Sequence, residues 1–178
     1  MEKLYSPWRQ HYVVKSSKKP TVGTSGSCAF CTKIAERKDV ENFIIKRYQH
    51  NTVFLNLYPY NAGHLMVIPN RHCKDLAQLN QEERNELMEV LNESIAVLNK
   101  TIKPDGVNVG INLGKSAGAS IAEHLHVHVL PRWEGDTNFL PLLAETKQIS
   151  VDLKQMYQQL KTGFERELDL SRITSQSI

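Results

Sequence analysis

The stretch "HLHVHVLPRW", residues 124–133, places three of the chain's seven histidines at alternate positions. In an extended strand, side chains two residues apart project from the same face, so His124, His126 and His128 would lie together on one face. The leucine and valine residues between them would lie on the opposite face and pack into a core. The pattern therefore predicts a strand with one face for packing and one for chemistry.

The bulk composition sets limits on the class of protein. The chain has 178 residues, 40% of them hydrophobic and 23% charged, with a formal net charge of +3. This length supports one domain with a substantial core. No apolar run approaches the about 20 residues of a membrane-spanning helix, and the modest charge does not indicate nucleic-acid binding. The first 20 residues lack a signal-peptide core, so we expect a cytoplasmic location in which the three cysteines remain thiols or metal ligands.

Apolar periodicity predicts an α+β fold with a mostly antiparallel sheet. Two apolar runs, 51–59 and 64–69, flank a Pro/Asn/Gly turn and indicate adjacent antiparallel strands. Residues 80–102 indicate a long helix that Asn80 caps and that ends before Pro104. Residues 106–114 alternate as a strand before the histidine strand, and a second helix is predicted over 151–168. The apolar residues expected to face the core from the two helices are Leu87, Val90, Leu91, Ile95, Leu98, Leu153, Met156, Tyr157, Leu160, Phe164 and Leu168.

The same features divide the chain into segments. Residues 1–27 end in a polar stretch rich in glycine and serine, which indicates a partly flexible arm. Residues 28–145 form the predicted domain, 146–170 a helical extension of that domain, and 171–178 a polar tail that we expect to fray.

Three aligned histidines leave three interpretations open. They could be the polar face of a half-exposed strand, a metal site or a catalytic group. Neighbours on one strand face stand about 6.6 Å apart, whereas ligands of one zinc converge to bonds of about 2.1 Å, so at most two of them can share an ion. The catalytic interpretation uses a neutral imidazole as a nucleophile, which suits attack on phosphorus because it needs no strong base.

The stretch "GINLGKSAGAS", residues 110–120, resembles a phosphate-binding P-loop only superficially. A Walker A motif needs four residues between its first glycine and its Gly-Lys pair, and no predicted helix follows this loop to receive a phosphate. What remains is a turn of small residues over 114–120. Its backbone N–H groups, Lys115 and the hydroxyls of Ser116 and Ser120 could neutralise a phosphate, and a plain hairpin turn is the alternative.

Cys28 and Cys31 have the C-x-x-C spacing that lets two thiolates bind one metal. A closed tetrahedral site needs two more ligands, for which His72 and His124 are the candidates and Cys73 a competitor. We prefer a structural Zn²⁺ site, with a redox pair or buried thiols as alternatives.

The pattern His-φ-His-φ-His-φ-φ over 124–130, where φ is apolar, resembles the signature of the histidine triad (HIT) family of nucleotide hydrolases and transferases. "FLNLYPYNAGHLMVIPNRH" (54–72) and "NLGKSAGAS" (112–120) are similar to other segments of that family, so the resemblance covers about residues 28–134. It implies a five-stranded antiparallel sheet with helices, usually in a homodimer. It also implies that His126 attacks the α-phosphorus of a nucleotide and forms a nucleotidyl-histidine intermediate.

The resemblance implies roles for further residues. Asn56 would contact the ribose, His64 would support the active site, and His128 would bond the α-phosphate. Asn112 and Ser120 would hold phosphates or assist the leaving group, although many relatives carry glutamine where this chain has Ser120. Zinc-bearing members imply the metal ligands Cys28, Cys31, His72 and His124, with no organic cofactor.

The flanking segments "YSPWRQHY" (5–12) and "LPRWEGDTNFLP" (130–141) look like those of bacterial diadenosine tetraphosphate phosphorylases and of fragile-histidine-triad hydrolases. We therefore expect adenosine polyphosphates and inorganic phosphate as reactants, with ADP and ATP as products of phosphorolysis. Hydrolysis of diadenosine polyphosphates and cleavage of adenosine phosphoramidates are the enzymatic alternatives. A nucleotide-binding signalling module and a metal-binding interaction protein are the non-enzymatic ones.

Overall fold

The computed structural model describes residues 28–137 and 152–175. Its five strands form one sheet in the order β1-β2-β3-β5-β4, and every neighbouring pair is antiparallel. The α+β fold predicted from the sequence is thereby confirmed. The strands are β1 (Ile44–Arg47), β2 (Asn51–Leu55), β3 (Leu65–Pro69), β4 (Gly106–Ile111) and β5 (Val127–Arg132), and the α-helices are α1 (Ala29–Glu36), α2 (Asp39–Asn42), α3 (Gln81–Thr101) and α4 (Leu153–Ser175).

The predicted hairpin is present as β2 and β3. The two strands pair from Asn51 opposite Pro69 to Leu55 opposite Leu65. In the turn between them Gly63 has φ of +72°, and a Cβ at this position would lie 2.6 Å from the Ile102 side chain. Only glycine fits there without strain, which lets the turn close against the end of α3.

The histidine strand is shorter than predicted. β5 begins at Val127, so His124 and His126 precede it and only His128 lies within it. The backbone of the preceding segment is hydrogen-bonded elsewhere, because the Leu125 N–H donates to the Cys73 carbonyl at 2.6 Å. His128 lies opposite Met66 on β3 and Gly110 on β4, and this register carries the histidines onto the Met66 face of the sheet.

The long helix α3 agrees with its prediction. Asn80 caps it, and Glu83 completes a capping box by accepting from the Asn80 N–H. Four of the five predicted core residues are buried, and Ile95 is half-buried against the same core. The helix ends at Thr101, before Pro104, as the sequence indicates.

The C-terminal helix α4 extends beyond its prediction. It covers Leu153–Ser175, so the tail expected over 171–178 is helical as far as 175, and 176–178 lie outside the described residues. Met156, Tyr157, Leu160 and Phe164 are buried as predicted, and the Tyr157 hydroxyl donates to the Ile44 carbonyl at 3.0 Å. Side chains are described only up to 167, and the arm over 1–27 and the residues 138–151 are not described.

The two faces of the sheet carry separate apolar clusters. Val53 and Leu55 belong to the larger cluster, which includes α3 and α4, whereas Phe54 between them belongs to a smaller one. Phe30 of α1 joins this smaller cluster, so α1 covers the face on which His128 lies. Within the described ranges, no helix is long and apolar enough to cross a membrane.

Candidate active site and metal centre

His126 is held in one tautomer by the backbone. Its Nδ1 lies 2.8 Å from the His124 carbonyl oxygen, which can only accept, so the proton resides on Nδ1. The lone pair is therefore on Nε2, the nitrogen that could attack an electrophile. The ring is buried, with 3% of its surface exposed, and burial lowers the pKa of His126 below the ordinary value. His126 is thus a neutral imidazole whose Nε2 carries the lone pair, which is compatible with the predicted role as a nucleophile.

His64 and His128 form a second oriented pair. The Tyr60 N–H donates to His64 Nδ1 at 3.1 Å, so neutral His64 carries its proton on Nε2. That nitrogen lies 2.9 Å from His128 Nδ1, which must accept, and the proton of neutral His128 is consequently on Nε2. Burial, followed by the neighbouring His128 and His126, lowers the pKa of His64 to about 3. The ring centroids of His128 and His126 are 5.0 Å apart, so His126 and the His64–His128 pair form one site.

Asn56 lies beside this pair. Its Nδ2 is 3.3 Å from His64 Nδ1, and its Oδ1 accepts from the Tyr58 N–H at 3.0 Å. The residue is 9% exposed at the end of β2, which is compatible with the predicted ribose contact. That role stays a prediction.

The small-residue loop between β4 and β5 borders the histidines. Asn112 directly follows the end of β4 at Ile111, and Ile111 pairs with Val127, the residue after His126. Lys115 and Ser116 lie in a 3₁₀ turn over Lys115–Ala117, and both side chains are exposed, as is that of Ser120. The loop can therefore receive a ligand from solvent, and its predicted phosphate contacts stay predictions.

The four predicted metal ligands lie together in the structure: Cys28, Cys31, His72 and His124. One ligand atom from each lies within 4.8 Å of all the others. The individual Sγ to Nδ1 distances are 3.2 Å for Cys28 and His124, 3.3 Å for Cys31 and His72, and 3.5 Å for Cys31 and His124. In a tetrahedral zinc site the bonds are about 2.3 Å to sulfur and about 2.1 Å to nitrogen, which sets N to S edges of about 3.6 Å. The donor set and its dimensions thus fit Zn²⁺.

The hydrogen bonds of His124 also fit a metal ligand. Its Nε2 lies 2.9 Å from the Pro69 carbonyl, so Nε2 carries the proton and the Nδ1 lone pair faces the thiols. A backbone carbonyl in this outer position orients a histidine ligand. Burial and the adjacent Cys28 thiol raise the pKa of Cys31 to about 11, so metal binding would release its proton. Cys73 is buried in the larger apolar cluster and is not part of this group.

Two contributions to the site are not evident from the sequence. Phe30, between the two cysteines, has its ring centroid 5.4 Å from that of His126. Asn61 donates to Asp136 at 2.7 Å and to the Pro131 carbonyl at 3.0 Å, which ties the turn before His64 to the end of β5. The hydrogen bond from Arg132 holds the pKa of Asp136 well below its usual range. Residues 61 and 136 are far apart in the chain, and no local pattern pairs them.

The five-stranded antiparallel sheet thus brings an oriented imidazole, His126, close to four residues that could hold a metal ion, in a small α+β protein. A family model described as the HIT domain matches residues 37–135. The chain therefore belongs to the HIT family.

Named relatives agree with this assignment. The chain is 40% identical over 168 residues to an AP-4-A phosphorylase of Mycobacterium tuberculosis, covering 94% of this chain and 86% of the relative. It is 31% identical to a bis(5'-nucleosyl)-tetraphosphatase (asymmetrical) of Schizosaccharomyces pombe, covering 69% of this chain and 66% of the relative. Among solved structures, a Zn-bound histidine triad family protein from Mycobacterium smegmatis matches with a TM-score of 0.67 and 26% identity, covering 83% of this chain and 99% of the other.

Proposed function

We propose that this protein is a nucleotidyl transferase that cleaves diadenosine tetraphosphate by phosphorolysis and yields ADP and ATP. The observation that carries the chemistry is the fixed tautomer of His126, whose Nδ1 donates to the His124 carbonyl at 2.8 Å. The substrate class is supported by the likeness to the AP-4-A phosphorylase over 94% of this chain.

The first displacement joins the enzyme to adenosine monophosphate. His126 Nε2 attacks the α-phosphorus of one adenosine, the bond from that phosphorus to the bridging oxygen breaks, and ATP leaves with the electron pair. His128, whose Nε2 carries a proton through the relay from His64, donates to the α-phosphate as charge develops. Asn112, Lys115, Ser116 and Ser120 hold the remaining phosphates, and Asn56 holds the ribose. A zinc ion bound by Cys28, Cys31, His72 and His124 would supply structural cross-linking.

The second displacement frees the enzyme. An oxygen of inorganic phosphate attacks the same phosphorus, the bond to His126 Nε2 breaks, and ADP is released. Water in place of phosphate would give AMP, and the likeness to the tetraphosphatase of Schizosaccharomyces pombe makes this hydrolysis the second candidate.

We also propose that the protein forms a homodimer through β4. Among the described strands β4 pairs only with β5, so its other edge has no partner strand there; Val109 on β4 is 46% exposed and Leu113, just beyond it, 48% exposed. A second copy could continue the sheet across this edge by an isologous contact. A cytoplasmic location remains part of the proposal.

Product analysis with diadenosine tetraphosphate, with and without inorganic phosphate, tests the reaction. We expect ADP and ATP only when phosphate is present, whereas AMP and ATP in both conditions would indicate the hydrolase.

His126→Ala is expected to lower kcat by at least ~10³-fold with nucleotide affinity nearly unchanged, because it removes a group that acts only in the transition state. His50→Ala, in the turn between β1 and β2, is the matched control for losing an imidazole. Residual activity above a few per cent in His126→Ala would refute its role as nucleophile.

A further inference from the structure

The turn that carries Cys28 and Cys31 also contacts His126, the candidate nucleophile. Phe30 lies between Cys28 and Cys31, at the start of α1, and is 7% exposed. Its ring centroid is 5.6 Å from that of the metal-group residue His124 and 5.4 Å from that of His126. One side chain therefore touches a candidate metal ligand and the candidate nucleophile at once.

Phe30 is one of several contacts that surround the His126 ring. Its Nδ1 bond to the His124 carbonyl fixes the tautomer, and the His128 ring stands edge-on to it at 5.0 Å. Phe30 supplies a further contact at an interplanar angle of 54°. In-line attack on phosphorus depends on the direction of the Nε2 lone pair, and a misplacement of about 1 Å can cost about 100-fold in rate.

The position of Phe30 depends in turn on how α1 is anchored. The C-terminal half of this helix is held by Arg47, which donates to the Ile34 carbonyl at 2.9 Å. At its N-terminal end Cys28 is the N-cap residue, yet its side chain makes no capping hydrogen bond. This end is held by the Cys/His group and by the smaller apolar cluster, in which the Phe30 and Phe54 ring centroids are 6.0 Å apart.

We propose that Phe30 is a positioning residue for His126, and that a metal bound by the Cys/His group fixes Phe30 in this position. The inference rests on the proposed function for its effect on rate, because it takes His126 as the nucleophile. Its effect on the orientation and tautomer of the His126 ring is independent of turnover. Metal binding at the Cys/His group would therefore affect the orientation of the His126 ring through the Phe30 side chain.

Phe30→Leu in the metal-loaded protein tests the positioning role, with Ile44→Val as the matched control. Both positions belong to the smaller apolar cluster, and both substitutions remove a modest buried volume. We expect Phe30→Leu to lower the single-turnover rate of AMP transfer to the enzyme by about tenfold to 100-fold. We expect nucleotide Kd and zinc content to stay within about twofold, and Ile44→Val to leave all three quantities nearly unchanged. A higher Kd or KM with an unchanged transfer rate would overturn the proposal, since Phe30 would then only line the substrate pocket.

Nitrogen-15 NMR of the His126 ring gives a readout that requires no turnover. We expect one sharp Nδ1–H tautomer in the metal-loaded wild type. We expect exchange-broadened signals in loaded Phe30→Leu, because a ring that changes orientation intermittently loses the Nδ1 hydrogen bond to the His124 carbonyl that fixes its tautomer. Removing zinc from the wild type with a chelator should give the Phe30→Leu spectrum, while removing it from Phe30→Leu should change the His126 signals little further. Equal metal dependence in both proteins would overturn the coupling through Phe30. If the wild type fails to cleave diadenosine tetraphosphate, the proposed function fails, whereas these spectra still decide the positioning role.

Discussion

At the scale of single residues, the candidate site depends on neutral histidines in which hydrogen bonds determine which ring nitrogen carries the proton. His64 is the most constrained of them, because it is fully buried, accepts from the Tyr60 N–H and faces His128 at 2.9 Å. Protonating it would place a charge in a desolvated position beside other imidazoles. That cost is why the pKa of His64 falls to about 3, and it keeps the His128 proton on the nitrogen that can meet a phosphate.

The same property predicts an acid-dependent loss of stability. An unfolded histidine has a pKa near 6.5, so below that pH the unfolded chain binds a proton that folded His64 excludes. The free energy of unfolding should therefore fall as pH drops from about 6.5 toward 3, approaching about 1.4 kcal/mol per pH unit for this one proton. Urea unfolding of His64→Gln should show a slope smaller by that amount between pH 6 and 5. Above pH 7.5 the two slopes should coincide, and an unchanged slope below pH 6 would contradict the neutral assignment.

At the scale of elements, the first turn of α3 is tied to the loop that carries His72 of the Cys/His group. Glu83 accepts from the Asn80 N–H at 2.8 Å and pairs with Arg71, with N to O distances of 2.9 and 2.7 Å. The hydrogen bonds from Arg71 are the largest cause that lowers the pKa of Glu83 to about 2. Since Arg71 immediately precedes His72, the start of the helix holds the loop that presents a candidate ligand.

Two substitutions in this turn should have separable effects. Asn80→Ala removes the cap and should lower the free energy of unfolding by about 1 kcal/mol, with metal affinity nearly unchanged. Glu83→Gln can keep the capping box but loses the ion pair with Arg71. Zinc affinity should then fall, by no more than about tenfold, because Arg71 precedes His72 and the pair does not bond the ligand itself. Urea unfolding and competition with a chromophoric chelator measure the two quantities. Equal losses of zinc affinity in both variants would show that the ion pair does not hold the His72 loop.

The helices and strands also show how much of the fold could be predicted from the sequence. The strands β2 and β3 and the helix α3 were predictable because their apolar residues recur at the periods of strand and helix. Helix α1 was not, because eight residues form a marginal helix that depends on packing at Phe30. The C-x-x-C and triad patterns pointed to Cys28, Cys31 and His124, and the resemblance to the family added His72; these four residues do come together. The role of His126 as nucleophile stays a prediction. The Asn61–Asp136 and Arg71–Glu83 links arise only once distant segments meet, so no local pattern could reveal them.

At the scale of the whole molecule, the order β1-β2-β3-β5-β4 leaves β4 at one edge of the sheet and next to the strand that carries His128. An exposed strand edge with apolar side chains invites pairing with another chain. Pairing of two β4 strands across a two-fold axis would join two sheets and would place the two histidine strands on either side of that contact.

Charge placed on this edge should separate the proposed dimer. We expect the wild type to have the mass of two chains in size-exclusion chromatography with light scattering, and Val109→Asp to have the mass of one. Each copy would bring a carboxylate into the proposed contact, which disfavours the pairing through charge repulsion and loss of hydration, while the circular dichroism spectrum should stay that of the folded chain. Met88→Lys is the matched control, because Met88 on α3 is 64% exposed and also exchanges an exposed apolar side chain for a charge. A monomeric wild type, or dissociation by Met88→Lys but not by Val109→Asp, would place any contact between copies elsewhere than at β4.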